Sequence, residues 1–189
     1  PNVQGQAGAV WYDNPINFDD DFTIYYRNYF GNNDGGADGM AIVFKGNNAN
    51  IVGATGENLG FGGISPSLSV EFDTYQNGNR GDPSFDHLGI MINGNSTHTG
   101  PVIQASATST NIEDDQWHNV KIVWNAATKI FSVYFDCELR IAAAPTDIKN
   151  TVFGGDSSVF FGFVGSTGLL TNLQQVCFNS ISFVDNLNL

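Results

Sequence analysis

Residues 68–93 read LSVEFDTYQNGNRGDPSFDHLGIMIN. Both ends alternate in hydrophobicity with a period of two, the signature of a half-buried strand. Alternate side chains of a strand share a face, so Val70, Phe72 and Thr74 point one way and Glu71, Asp73 and Tyr75 the other. In the second run Leu88, Ile90 and Ile92 face away from His87. The polar stretch between them carries Gly78, Gly81 and Pro83, residues that permit tight turns. Two strands with one apolar face each, joined by an acidic loop, are expected.

The same period recurs along the chain in FTIYYRNYF, GMAIVFK, VKIVWN, KIFSVYFD, SVFFGFVG and NSISFV. Clusters of Gly, Asn, Asp and Ser separate these runs, and no helix-period segment longer than two turns competes with them. Short strands without crossover helices pair antiparallel and close into layers. The expected fold is an all-β, two-sheet antiparallel sandwich, with residues 1–189 forming a single domain. Three glycine-rich loops, NNDGGADG at 32–39, GATGENLGFGG at 53–63 and GSTGLLTN at 165–172, lie between strands. None is followed by a helix start, which argues against a phosphate cradle. They read as binding fingers on a rigid scaffold.

With 41% apolar and 13% aromatic residues in 189, the chain is long enough to bury its own core. Seven Lys and Arg against 19 Asp and Glu leave a net charge of −12. That field repels phosphate backbones and anionic lipid, so neither nucleic acid nor a membrane is an expected partner. No apolar run approaches the roughly 18 residues of a transmembrane helix. The chain opens at Pro1 without a basic-then-apolar leader, as a mature protein or an excised module would. Cys137 and Cys177 are the only cysteines. Each sits in a strand-like run, and one disulfide between them is expected, with two free thiols as the alternative.

The acidic segment carries the chemistry. Glu71 and Asp73 on one strand face, with Asp82 folded over them, repel one another unless a cation lies among them. Oxygen donors suit calcium: the carboxylates of Asp73 and Asp82, the amide oxygen of Asn77 and the carbonyl of Tyr75. Glu71, Asp73, Asp82 and His87 suit a transition ion such as manganese. Two ions sharing Asp73 and Asp82 would account for the clustering.

The string EFDTYQNGNRGDPSFDHLGI resembles the metal-binding segment of the legume-type (L-type) lectins. GGADGMAIVF resembles their Ala-Asp-Gly sugar loop, WHNVKIVWNAATKIFSVYF a strand pair, and GFVGSTGLLTNLQQV their fourth sugar-contacting loop. The run FGGISPSLSVEFDTYQN is similar to lectin-like modules of bacterial surface proteins. The resemblance implies a jelly-roll sandwich with Mn2+ (Glu71, Asp73, Asp82, His87) beside Ca2+ (Asp73, Tyr75, Asn77, Asp82). It further implies a sugar site in which Asp38, following a cis Ala37–Asp38 peptide, accepts from hydroxyls, Asn77 donates and the Tyr75 ring stacks. Backbone N–H groups at Gly56, Leu169 and Leu170 would complete it. The implied function is a non-catalytic, calcium- and manganese-dependent carbohydrate-binding module, secreted or at a cell surface, that serves adhesion or glycan recognition and gains avidity from repeats or oligomers. Glu57, where many members carry glycine, departs from the pattern and would narrow the pocket or add an acceptor.

Rival readings are weaker. Glycoside hydrolases on this sandwich carry Glu-x-Asp-x-x-Glu, but here the second glutamate is replaced by Gln76, which cannot protonate a leaving group. No Gly-x-Ser-x-Gly elbow supports acyl transfer. His98 falls in a glycine-rich loop, and His118 reads as a surface residue beside a core tryptophan. Arg80-Gly81-Asp82 matches a cell-attachment tripeptide, which a metal-bound Asp82 could not serve. A structural or adhesive spacer that keeps the fold and binds protein or nothing is the remaining alternative.

Overall fold

A computed structural model describes residues 2–46, 50–100 and 102–184. In chain order the strands are β1 (Ala7–Trp11), β2 (Ile16–Asn17), β3 (Asp21–Tyr29), β4 (Gly39–Lys45), β5 (Ser67–Asp73), β6 (His87–Ile92), β7 (Ile103–Gln104), β8 (Trp117–Asn125), β9 (Ile130–Phe135), β10 (Glu138–Ala142), β11 (Ser158–Ser166) and β12 (Gln175–Val184). One sheet runs β1-β11-β4-β5-β6-β7, with β2 also on β11; the other runs β10-β9-β8-β3-β12. All pairings are antiparallel. The two sheets enclose one core, as the alternating pattern demands: Phe22, Ile24 and Tyr26 of β3 and Ile122 and Trp124 of β8 meet Ile42, Phe44, Val70 and Phe72. Burying each such side chain contributes about 1.5–3 kcal/mol.

Strands β4 and β5 are buried on both faces. Their second face lies under the 53–64 segment, where Leu59, Phe61 and Ile64 pack on Ala41, Val43, Met91 and Val164 in a smaller cluster. Glu71 and Asp73, at the C-terminal end of β5, are buried as well.

Two expectations are corrected. The cysteines are free. Cys137 lies not in a strand but in the β9–β10 turn, where Asp136 and Cys137 both have positive φ (47 and 70). Cys177 is on β12 at the opposite edge of the sheet. Three inter-strand spacings, about 14 Å, separate them, against the roughly 4.4–6.8 Å that a disulfide spans between Cα atoms. His118 is buried and Trp117 exposed, the reverse of the expected pair; Trp124 fills the core, its indole N–H donating to Phe18 O at 3.0 Å.

Candidate metal and ligand site

Strand register builds the site. Asp73 pairs with His87 and Glu71 with Gly89 across β5–β6, while Gly39 pairs with Asp73 across β4–β5. Asp38, one residue before β4, therefore arrives beside Asp73. The Ala37–Asp38 peptide is cis. Gly39 has φ +143, and a Cβ there would lie 2.3 Å from Phe72 O, so the close approach of β4 to β5 requires glycine.

The 75–82 loop folds back over β5. Asn77 N donates to Asp82 Oδ2 (2.7 Å), Tyr75 N donates to Asp73 Oδ1 (2.8 Å), and Arg80 N donates to Asn77 O (2.8 Å). Ligand atoms of Asp73, Asp82 and His87 lie within 4.8 Å of one another, and so do those of Glu71, His87 and His98. Glu71, Asp73, Asp82 and His87 are all buried. Glu71 Oε1, Asp82 Oδ1 and Asn77 Oδ1 are buried acceptors without a donor. A buried acceptor left unpaired costs about 1–3 kcal/mol, more when charged, so three converging in one corner call for a cation.

Burial and the neighbouring Asp82 raise the Glu71 carboxyl to about 8. Burial and the Glu71 charge hold Asp73 well above its ordinary value, and burial also raises Asp82. Burial and the adjacent His98 push His87 down to about 4. An anionic carboxylate set with neutral imidazoles is the state that a divalent ion binds.

His98 escaped the sequence reading as a site residue. Its Nε2 lies 3.0 Å from His87 Nε2, 3.1 Å from Glu71 Oε1 and 3.3 Å from Asp82 Oδ1. The two carboxylate contacts are at ion-pair distance but lack hydrogen-bond alignment, since both oxygens remain without a donor. The only signal for it in the sequence was a histidine shortly after an apolar strand that starts with a predicted ligand.

The four loops meet at the same end. Asp38 N donates to Ser166 O (3.0 Å), Thr74 N donates to Asp38 O (3.0 Å), Ser166 Oγ donates to Gly56 O (2.8 Å), and Asn172 Nδ2 donates to Asn33 O (3.0 Å). Asp38 Oδ2 is buried without a partner, and burial, then the Glu57 charge, raises this carboxyl to about 6. The Gly168 Cα side faces it: a Cβ there would stand 3.1 Å from Asp38 Oδ2. Tyr75 is partly exposed beside this corner. Gly56 is at the rim, but its N–H donates to Thr167 O at 3.3 Å. The Leu169 and Leu170 side chains are exposed, and Leu169 O accepts from Gln4 Nε2 (2.5 Å). Glu57 is not a spare acceptor: Arg80 Nη2 donates to it at 2.6 Å and Asn79 Nδ2 at 3.0 Å. Asp82 of the Arg-Gly-Asp tripeptide is buried and Arg80 is tied to Glu57, so this tripeptide is not presented to solvent. A groove of 370 Å³ lined by Val10, Phe163, Ser166, Thr167, Asn172 and Gln174 borders the 165–172 loop and contains none of the predicted site residues.

The sequence profile of the legume lectin beta-barrel domain matches residues 1–180, and the chain belongs to that family. It is 25% identical over 204 residues to pesticidal crystal protein Cry22Aa of Bacillus thuringiensis, covering 92% of this chain and 28% of that protein. It is 25% identical over 135 residues to a lectin of Leucomphalos mildbraedii (70% of this chain, 52% of that one), and 25% identical over 181 residues to the serine-rich adhesin for platelets of Staphylococcus aureus (84% and 8%). The chain thus spans about half or less of the length of these relatives. Among solved structures, a Bauhinia forficata lectin in complex with GalNAc superposes with a TM-score of 0.78 at 20% identity, covering 96% of this chain and 81% of that one. At that identity the likeness shows the jelly-roll fold.

Proposed function

We propose that residues 1–189 form one non-catalytic, divalent-cation-dependent carbohydrate-binding module. Calcium would be held by Asp73, Asp82, Asn77 Oδ1 and the Tyr75 carbonyl, and a transition ion, manganese on the family pattern, by Glu71, Asp73, Asp82 and His87. The donor set fits both: carboxylates, an amide oxygen and a carbonyl for the hard ion, an imidazole for the softer one. The ions supply the positive charge that fixes the 75–82 loop. The chain's own residues do the binding. Asp38 accepts from sugar hydroxyls, the Asn77 amide donates once its oxygen is engaged, and the Tyr75 ring offers an apolar face. Gly56, Leu169 and Leu170 shape the rim through backbone and bulk.

One observation carries this reading: four buried oxygens without donors, on Glu71, Asn77, Asp82 and Asp38, line one end of the sandwich. Gln76 in place of a second glutamate supports binding without hydrolysis. Adhesion at a secreted or cell-surface location is supported by the kinship with a staphylococcal adhesin. A shallow site of this kind binds single sugars weakly, so avidity from repeats or oligomers belongs to the proposal. A glycan array probed with and without EDTA tests it. Retention that the chelator abolishes is the expected result; retention of no glycan at all, with the cations bound, would favour the spacer reading.

A further inference from the structure

We propose that His98 is a direct ligand at the transition-ion position, so that the site offers two imidazoles and prefers zinc-like ions to manganese. The proposal rests on the two-cation reading above. It adds a residue that the acidic segment does not contain.

The placement is specific. His98 N donates to Arg80 O at 2.9 Å, which ties its backbone to the 75–82 loop, and its ring is buried against His87 with centroids 4.9 Å apart and planes at 66°. Space for it comes from Gly89, opposite Glu71 on the strand pair: a Cβ at 89 would stand 2.9 Å from Glu71 Oε1 and 3.3 Å from His98 Cε1.

The separations also have the right size. Two ligand atoms each about 2.1 Å from a common ion stand about 3.0 Å apart at the right angles of an octahedral site and about 3.4 Å apart in a tetrahedral one. His98 Nε2 is 3.0 Å from His87 Nε2, 3.1 Å from Glu71 Oε1 and 3.3 Å from Asp82 Oδ1. A purely hydrogen-bonded role explains less. A proton between the two imidazoles pairs those nitrogens but leaves Glu71 Oε1 and Asp82 Oδ1 buried without donors. An ion held by Glu71, His87 and His98, whose ligand atoms lie within 4.8 Å of one another, would take up the Glu71 oxygen and stand beside Asp82.

Ligand chemistry then sets the preference. Carboxylate and water ligands suit manganese, whereas imidazoles suit zinc, nickel and copper, and the intrinsic affinity order runs the same way. A second imidazole moves the site along that order while leaving the all-oxygen calcium position unchanged.

Protein stripped with chelator, in wild-type form and as His98→Ser, would be titrated with Zn2+, Mn2+ and Ca2+, and pulsed EPR of the Mn2+-loaded wild type would count coupled imidazole nitrogens. Loss of a partner outside the ligand shell typically costs about 10–100-fold in metal affinity. Losing a direct ligand should therefore lower the zinc-to-manganese affinity ratio by more than about tenfold, with Ca2+ affinity unchanged. The wild-type EPR should show two imidazoles. An unchanged ratio, one imidazole in the wild type, or no transition-ion binding at all would overturn the proposal. If His98→Ser does not fold, the wild-type nitrogen count decides alone. Glycan retention is measured separately: two imidazoles with no glycan bound would leave this inference standing and remove the carbohydrate reading, and the converse result would do the opposite.

Discussion

Two histidine–carboxylate clusters on this molecule use the same residue types to opposite ends. Around His118 both ring nitrogens and both Asp136 oxygens have partners. Its Nδ1 meets Asp136 Oδ2 at 2.7 Å, its Nε2 meets Ile112 O and Asp114 Oδ1 at 3.1 Å each, and Asn119 N donates to the other Asp136 oxygen at 2.8 Å. Burial alone would lower His118, but Asp136 and Asp114 raise it above the ordinary histidine value, and His118 in turn helps to lower Asp136. Around His87 the shifts run the other way: burial raises the acids and lowers both histidines, and oxygens lack donors. The first cluster completes itself with an internal ion pair. The second crowds carboxylates and imidazoles whose oxygens lack donors, the arrangement that the proposed cations would complete.

The largest expected effect lies in the second cluster. Asp73→Ala, which removes the carboxylate shared between the two proposed ions, should reduce bound metal to background by elemental analysis and abolish glycan retention. His118→Gln should leave both intact. Retained metal in Asp73→Ala would erase the contrast between the clusters.

Asp38→Ala should separate binding from metal. Asp38 Oδ2 points into the loop end without a partner and belongs to neither proposed ligand set. Metal content should stay at the wild-type value while glycan retention is lost. Unchanged retention would defeat the placement of the sugar site.

The smallest effect is a pH dependence in the His118 cluster. Because its folded pKa is raised, the stability contributed by the charged pair is fully present below the unfolded value of about 6.5 and fades as pH rises through the folded value. His118→Gln should therefore lower Tm more at pH 5.5 than at pH 9, by a few degrees at about 2–4 °C per kcal/mol. An equal loss at both values would mean that the pair is not charged.

The fold was legible because the eight long alternating runs each became a strand, from β3 to β12. The elements that escaped are β1, β2, β7, β10, a single 3-10 turn at Gly56–Asn58 and a short helix at Ile148–Thr151. Their segments are short or, like AGAVW, built of small residues, so they carry little periodicity. Glu71, Asp73, Asn77, Asp82 and His87 could be singled out because they are close in sequence and their spacing matches a strand, a turn and a strand. His98 and the His118 cluster could not: Asp136 is paired across a hairpin and His98 enters over a glycine on the neighbouring strand. The disulfide expectation failed because strand-like runs say nothing of sheet order, and order places Cys137 and Cys177 at opposite edges.

The account is tested most directly by crystals grown in calcium and manganese or zinc salts and measured at the metal absorption edges. It predicts two adjacent peaks flanking Asp73 and Asp82, the transition ion on the side of Glu71 and His87. Density free of ions, with these carboxylates still buried or turned out to solvent, would contradict it.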